Sequence, residues 1–227
     1  MEEELIYGIV RQKNNLHAVR ILTNFGYLDP DKLIKICEIS KKYTKSDISF
    51  TSRGTIEIIG LEKTDLKNIY EDLKNEGINI GGTGKALRFI QTCKGRECRF
   101  GIINPNKIAK ILEENIKIEK LENKFKIGIF GCNNSLGKAR SNDLGIIPFI
   151  DNNDIKFKIF LGGRMGKEAI LGYQLNKIIN LNEILDIVKK TIEFYKINAR
   201  NSERFSGTLK RIGVKEFEKF LFEDYVN

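Results

Sequence analysis

The apolar positions of residues 1–80 repeat with two periods, one typical of strands and one typical of helices. β-Branched and aromatic residues are concentrated in short runs that predict strands, at Leu5–Val10, His17–Leu22, Ile48–Ser52 and Thr55–Ile59. A helical period follows Asp29, which precedes Pro30 as an N-cap, and a second one follows Thr64 and ends at Gly77. The pattern therefore predicts strands backed by two helices, ending near Ile80.

A glycine-rich segment, Gly-Gly-Thr-Gly at residues 81–84, separates this unit from the remainder of the chain. We interpret it as a flexible joint rather than a phosphate-binding loop, because no lysine-serine pair follows. Beyond it, residues 86–92 lead into the first two cysteines. Apolar runs predict strands at 124–130, 145–150 and 156–161, and helices at 105–118, 182–198, 203–211 and 215–221. The pattern predicts two domains, residues 1–80 and 81–227, and an α+β fold class.

Composition narrows the class of protein. Hydrophobic residues make up 41% of the 227 residues, which is enough for a sizeable core. The chain has no apolar run of the roughly 20 residues that cross a bilayer, and its acidic start is unlike a secretory signal. We therefore expect a cytoplasmic protein that does not enter a membrane.

The net charge of +9 favours an anionic partner. Nucleic acid is one such partner, but the basic residues are dispersed and show neither a recognised nucleic-acid motif nor an aromatic stacking signature. A small oxyanion substrate accounts for the charge equally well, and we expect that class of partner rather than nucleic acid.

Three cysteines carry the candidate chemistry. Cys93 and Cys98 form a C-x4-C pair beside Gly95, and Cys132 follows Gly131. Soft thiolates hold iron-sulfur clusters or zinc, and zinc is the weaker interpretation because the only histidine, His17, lies far upstream. The alternative is that these cysteines are ordinary buried thiols.

The fourth cysteine, Cys37, is interpreted differently. It shares a predicted helical face with Leu33, Ile36 and Ser40, at the spacing typical of a side that faces the core. We therefore predict a core residue there rather than a metal ligand.

The motifs resemble those of the siroheme-dependent nitrite and sulfite reductases, especially the small single-copy type found in anaerobes. The similarity covers about Leu16 to Phe217 and includes Phe-Thr-Ser-Arg-Gly-Thr-Ile at 50–56 and Leu-Arg-Phe-Ile-Gln-Thr-Cys at 87–93. It implies a ferredoxin-like half-domain followed by a nitrite/sulfite reductase 4Fe-4S-type α/β domain. It also implies a 4Fe-4S cluster held by Cys93, Cys98 and Cys132, with siroheme beside it.

The resemblance also implies roles for charged and glycine residues. As catalytic residues that face the anion it implies Arg53, Arg88, Lys124 and Lys126. As residues that contact the cofactor it implies Arg53, Arg88, Asn134, Gly162, Gly163 and Arg164. The cations would bind the oxyanion, stabilise charge on its leaving oxygens and supply protons. The alternative for each isolated arginine or lysine is a solvated surface charge.

One position departs from the family pattern. The family reads Gly-Cys-x-Asn-x-Cys, with the last cysteine bridging cluster and siroheme, whereas this chain has Leu136 there. Leucine cannot ligate iron, so three outcomes stay open. Ser135 or water completes the cluster, a three-iron or open-iron cluster forms, or the metal centre is lost and the fold persists.

Two functions from different classes follow from the resemblance. The first is a reductase of sulfite or nitrite that takes electrons from a donor such as a ferredoxin. The second is a protein that binds siroheme, a related tetrapyrrole or a cluster without turnover. A third, independent alternative is a basic nucleic-acid-binding module with structural cysteines. Tandem family members enclose the cofactor with two half-domains and this chain carries one, which favours a homodimer or a partner subunit.

Overall fold

A computed structural model describes residues 7–116 and 120–223 of the chain. The chain divides into two compact units, residues 1–84 and residues 85–227. Each unit is described by itself. The first two residues of the predicted strand Leu5–Val10 and the acidic start lie outside the described residues. The predicted division of domains between residues 80 and 81 stays a prediction.

The first unit is a four-stranded antiparallel sheet with two helices. Its strands are β1 Ile9–Arg11, β2 His17–Ile21, β3 Ile48–Phe50 and β4 Ile56–Leu61, and they lie in the order β1-β2-β4-β3. The helices α1 Pro30–Tyr43 and α2 Leu66–Asn75 pack on it through a single apolar core. Alternation of apolar residues in β2 and β4 supplies the sheet side of that core.

The predicted N-caps of the two helices had different outcomes: Asp29 caps α1, whereas Thr64 was wrongly predicted to cap α2. The Asp29 carboxylate accepts hydrogen bonds from the amides of Asp31 at 2.9 Å and Lys32 at 3.3 Å, so the predicted cap of α1 is confirmed. Thr64 does not cap α2. It lies inside a 3-10 turn, Lys63–Asp65, and the α-helix begins only at Leu66.

The buried face of α1 is shifted slightly around the helix axis from the face that the sequence predicted. Leu33 is exposed, and the buried residues are Ile36, Ile39 and Ser40. Cys37 is half-buried beside them. The error arose because the apolar residues of this short helix fit two overlapping faces, and contact with the sheet selects one of them.

The second unit contains a five-stranded mixed sheet in the order β5-β6-β7-β8-β9. Its strands are β5 Gln91–Thr92, β6 Ile127–Ile129, β7 Leu144–Asp151, β8 Asp154–Leu161 and β9 Tyr173–Gln174. The pairs β5–β6 and β6–β7 are parallel, and the remaining two are antiparallel. The parallel strands therefore end at the same edge of the sheet, which places the segments that follow β5 and β6 side by side.

Five helices complete the second unit: α3 Pro105–Asn115, α4 Leu136–Arg140, α5 Ile184–Asn198, α6 Phe205–Ile212 and α7 Val214–Phe222. The rings of Phe125, Tyr195, Phe205 and Phe217 lie in its core, with centroids 5.2 to 5.9 Å apart in neighbouring pairs. This aromatic core joins the segment before β6 to the C-terminal helices. No helix among the described residues is long and apolar enough to cross a membrane.

Several predicted bounds change in this unit. The predicted strand 124–130 shrinks to three paired residues, because Phe125 forms only an isolated bridge with Leu87. The helix predicted from residue 203 begins at Phe205, and β9 was not predicted. Residues 117 and 118 of the helix predicted to end there lie outside the described residues, and α3 ends at Asn115.

Candidate iron-sulfur and anion site

The two segments that carry the predicted cluster ligands, residues 93–101 and 131–136, are called here the cysteine loops. Cys93 directly follows β5, and Cys132 comes shortly after β6. Because β5 and β6 are parallel neighbours with Thr92 opposite Ile129, both cysteines leave the sheet at the same edge. The topology thus brings together two segments that are far apart in sequence.

Hydrogen bonds fix the cysteine loops to one another. The amide of Gly131 donates to Cys93 Sγ at 3.2 Å, and the amide of Ile102 donates to the Gly131 carbonyl oxygen at 2.8 Å. The first of these hydrogen bonds holds the Cys93 sulfur at the point where the two loops meet. Such hydrogen bonds also help to set the reduction potential of a cluster.

Glycines are required where the loops touch. A Cβ atom on Gly131 would lie 2.8 Å from the Cα atom of Gly95, and a Cβ atom on Gly95 would lie 2.8 Å from the Ile103 carbonyl oxygen. Backbone atoms cannot move aside as a flexible side chain can, so a larger residue would push the loops apart. The sequence interpretation of Gly95 as a source of freedom therefore has a more specific basis, which is close approach of two backbones.

The three thiols differ in exposure. Cys93 and Cys132 are half-buried, and Cys98 is exposed. No group of three or more His, Cys, Asp or Glu side chains within residues 7–116 and 120–223 is arranged to hold a metal ion. An iron-sulfur cluster is larger than a single ion, so its thiolate ligands stand farther apart than those of a zinc site.

Leu136 stands at the fourth ligand position of the motif. Its side chain is 42% exposed at the start of α4, and a Cβ atom on the neighbouring Gly137 would meet no atom within 4 Å. The cysteine loops therefore supply three thiols, and residue 136 does not supply a fourth sulfur.

A second group of residues surrounds a buried carboxylate. We call Arg88, Lys124, Lys126 and Arg204, around Asp143, the cationic cluster. Asp143 is completely buried, and Arg204 Nη2 donates to both of its carboxylate oxygens, at 3.0 and 2.8 Å. The amide of Lys126 donates to Asp143 Oδ2 at 2.9 Å. Both Arg204 hydrogen bonds come from the same Nη2 atom, so they fix the position of that nitrogen against the carboxylate.

The charges of this cluster act on one another. Burial lowers the pKa of Lys124, and the neighbouring positive charges of Arg204 and Arg88 lower it further, while Asp143 raises it. Burial also raises the pKa of Asp143, which Arg204 and Lys126 oppose. Lys124 is therefore a more acidic ammonium group than an exposed lysine.

Strand pairing places these side chains. The Arg88 amide donates to the Phe125 carbonyl oxygen at 2.8 Å, and the Leu144 amide donates to the Lys126 carbonyl oxygen at 3.0 Å. Phe125 is fully buried between the two half-buried lysines, as the alternation of Lys-Phe-Lys predicts. The cluster is therefore anchored to the sheet on one side and to the aromatic core on the other.

The glycine loop at residues 162–164 packs on the same region. The Gly162 amide donates to the Asp143 carbonyl oxygen at 2.8 Å, and a Cβ atom on Gly163 would lie 2.0 Å from the Arg140 carbonyl oxygen. Arg164 forms an ion pair with Glu168. The loop supports the backbone behind Asp143, and its predicted contact with a cofactor stays a prediction.

Two further predicted residues are Asn134, in the second cysteine loop, and Arg53, in the first unit. Asn134 is exposed in a 3-10 turn, Asn133–Ser135, directly after Cys132. Arg53 belongs to the first unit, where it is half-buried in a turn closed by the Gly54 amide donating to the Thr51 carbonyl oxygen at 3.1 Å. The predicted roles of both residues stay predictions.

Sequence reasoning named neither Arg204 nor Asp143 as a functional residue. Arg204 lies 61 positions from its carboxylate partner, and no local pattern marks it. A weak signal was available, because an aspartate inside a run that leads into a buried strand needs a cation.

Comparison with known proteins identifies both units. A family model described as the nitrite and sulphite reductase 4Fe-4S domain matches residues 83–227. A second, described as the nitrite/sulfite reductase ferredoxin-like half domain, matches residues 10–76. These matches confirm the predicted fold class and the predicted family, including its iron-sulfur character.

Individual relatives agree with the family models. The assimilatory-type sulfite reductase of Nitratidesulfovibrio vulgaris is 25% identical, covering 92% of this chain and 94% of that protein. The NAD(P)H nitrite reductase of Bacillus subtilis is 26% identical, covering 92% of this chain and 26% of that protein.

A solved structure, that of dissimilatory sulfite reductase I, has a TM-score of 0.83 at 16% identity and covers 93% of this chain and 70% of that one. This likeness supports the fold alone. The chain spans less than half the length of several curated relatives that it matches.

Proposed function

The chain belongs to the nitrite and sulphite reductase family, and from that premise we propose that it binds a small oxyanion at the cationic cluster and reduces it. Electrons would reach the anion from a donor protein such as a ferredoxin through an iron-sulfur cluster. The observation that carries the proposal is the buried Asp143–Arg204 pair with Lys124 beside it, where the positive charges of Arg204 and Arg88 act on Lys124.

The cluster residues suit the chemistry of an oxyanion. Sulfite and nitrite both gain electrons and protons and lose oxygen as water. Arg88 and Arg204 would hold the anion and stabilise negative charge on its oxygens, because a guanidinium keeps its proton. Lys124 would serve as a proton donor, since its lowered pKa makes its ammonium proton easier to transfer.

The metal centre is proposed from the cysteine loops. Cys93, Cys98 and Cys132 would hold the iron-sulfur cluster, and the Gly131 amide that donates to Cys93 Sγ would help to position that sulfur. When bound, such a cluster supplies electrons one at a time. Leu136 leaves one iron without a protein ligand, so we propose a cluster with one exchangeable iron.

Siroheme is the second proposed cofactor, and the residues fit it in one respect. A macrocycle with several carboxylates is matched by the cationic cluster. Its bridging thiolate is not supplied, because Leu136 stands in that position. We therefore assign no chemical step to siroheme in this chain. The proposed substrates, sulfite and nitrite, and a homodimer or partner subunit that completes the cofactor site are proposals as well.

Leu136 specifically favours a second candidate function. A family member that keeps an anion site but lacks the bridging sulfur would bind a tetrapyrrole or a cluster without turnover. The two candidates differ in one measurable property, which is loss of sulfite or nitrite that depends on a reduced electron donor.

The test is anaerobic purification of the full chain, followed by iron, sulfide and tetrapyrrole analysis and assays with a chemically reduced dye as donor. We expect bound iron and sulfide, and, after mild oxidation, electron paramagnetic resonance of a three-iron cluster. Consumption of sulfite or nitrite supports the reductase, and bound cofactor without consumption supports the binding protein. Colourless, iron-free protein after full reconstitution would falsify the proposed metal centre.

Leu136→Cys sharpens the same test. A fourth thiolate should retain the exchangeable iron, so we expect the three-iron signal to disappear and the iron content to rise by about one-third, the share of one iron relative to three. Leu136→Ala is the matched control, because it removes the same side chain without adding a donor. Equal iron content in the two variants would mean that residue 136 does not face the cluster.

A further inference from the structure

Arg204 has a donor that the protein does not use. Its Nη2 atom is paired with Asp143, but its Nε atom is buried and donates to no acceptor among the described residues. Burying a guanidinium donor without an acceptor costs free energy, and such donors are rare in native proteins. An acceptor from outside the described chain would remove that cost.

The surroundings of Arg204 specify the charge of the missing acceptor. The positive charge of Arg204 acts on Lys124, and the carboxylate of Asp143 acts on both. Arg204 and Lys124 thus place two positive charges beside this one carboxylate, and like charges held together in a partly buried site repel one another. The acceptor that suits Arg204 is therefore an anion with oxygen atoms.

The orientation of Arg204 is fixed before any ligand arrives. Asp143 is fully buried and holds both of its oxygens toward Arg204 Nη2, and Phe205, the next residue, packs in the aromatic core with its ring 5.2 Å from that of Phe125. Little side-chain freedom is left to lose on binding, which favours affinity.

We propose that Arg204 is an anion-binding residue of this chain, held in place by Asp143, and that the start of α6 is therefore part of the oxyanion site. The ligand is an oxyanion group, either that of a free anion such as sulfite or a carboxylate of a bound tetrapyrrole. This inference rests on the proposed function and adds to it a residue that lies outside the recognised motifs.

The experiment measures binding rather than turnover. Sulfite is titrated calorimetrically into the anaerobically purified full chain at low, constant ionic strength, and the carboxylated tetrapyrrole uroporphyrin is titrated in a second arm. Arg204→Lys keeps the positive charge but removes the Nε donor. We expect it to weaken binding in at least one arm by about tenfold, as for loss of one charge-assisted hydrogen bond.

The two arms distinguish the source of the oxyanion group. Weakening with sulfite assigns Arg204 to a free anion, and weakening with uroporphyrin alone assigns it to a carboxylate of the macrocycle. Unchanged affinity in both arms overturns the inference. Asp143→Asn, which keeps the shape of the acceptor and removes its charge, should weaken binding in the same arm, because it releases the guanidinium.

Arg211→Lys is the matched control. Arg211 lies on the same helix and pairs with Glu203 at 2.7 Å, so it has the same chemistry outside the cationic cluster. We expect it to bind both probes like the unsubstituted protein. Lys124→Ala tests the proposed oxyanion site independently of Arg204. If Arg204→Lys and Lys124→Ala both leave the sulfite affinity unchanged, the proposed oxyanion site itself is wrong. If Lys124→Ala weakens binding and Arg204→Lys does not, only the role of Arg204 is wrong.

Discussion

The cationic cluster and the cysteine loops lie in the same unit, but the protein completes them to different degrees. In the cationic cluster every oxygen of the central carboxylate has a protein donor, within 2.8 to 3.0 Å. In the cysteine loops the backbones are fixed by hydrogen bonds and glycine contacts, yet only three sulfur donors are present and Leu136 replaces the fourth.

This difference shows which half of the proposed chemistry the chain organises by itself. The cations are positioned by a buried ion pair and an aromatic core, so the oxyanion site is expected to exist before any cofactor binds. The metal half depends on added iron and on an external fourth ligand. Substitutions should therefore harm folding more in the first region and cofactor retention more in the second.

The largest expected effect on stability comes from the centre of the cationic cluster. Asp143→Ala would leave the Arg204 guanidinium and the Lys126 amide without their acceptor. We expect the free energy of unfolding to fall by about 3 to 5 kcal/mol, as for a buried ion pair that loses one partner. Chemical denaturation measures this value.

Glu38→Ala provides the comparison, because Glu38 pairs with Lys35 at 3.1 Å on an exposed helix surface. Its expected cost is below about 1 kcal/mol. Similar losses in the two variants would show that the cationic cluster is no more organised than an ordinary surface pair.

An intermediate effect is expected in the cysteine loops. Gly131→Ala places a Cβ atom 2.8 Å from the Cα atom of Gly95, so the loops must separate. We expect a loss of about 1 to 3 kcal/mol of stability. The bound iron per chain should also decrease, because Cys93 and Cys132 belong to the two loops that would be separated. Denaturation and iron analysis of the same sample test both expectations.

Gly137→Ala is the control in the same region, since its Cβ atom would meet nothing within 4 Å. Alanine is the better helix former, so stability should stay equal or rise by up to about 1 kcal/mol. If Gly131→Ala retained its full iron content, the glycine contact would not be what holds the loops for the cluster.

The smallest expected effect is a pH dependence of anion binding. Lys124 has a lowered pKa, so its ammonium group loses its proton at a lower pH than an ordinary lysine. Affinity for sulfate, whose charge does not change in this range, should be highest on the acidic side of that pKa and fall as pH rises through it. The loss should be up to about tenfold, as for one charged hydrogen bond.

Lys124→Arg keeps its charge across the same range, because an arginine stays protonated. Its sulfate affinity should therefore be almost independent of pH. A fall of equal size in both proteins would assign the titration to another group.

The amino-acid sequence by itself indicated the family, the α+β class and the cysteines that are the candidate sulfur donors. These properties depend on local patterns: alternation in β2 and β4, the Asp29 cap of α1, and cysteines beside glycines. The absence of a fourth cysteine at residue 136 is also a property of the sequence alone. Short strands such as β5 and β9 were harder to predict, because pairing with neighbours, rather than their own two residues, defines them.

Only the tertiary structure decided how the charges are arranged. Asp143 and Arg204 are 61 positions apart, and neither residue shows in its own segment that the other is its partner. The parallel pairing of β5, β6 and β7 sets the position of Asp143, and packing of Phe205 in the aromatic core sets that of Arg204. Contacts between distant segments produce no periodic pattern in the local sequence, because burial and charge pairing act only after the chain has folded.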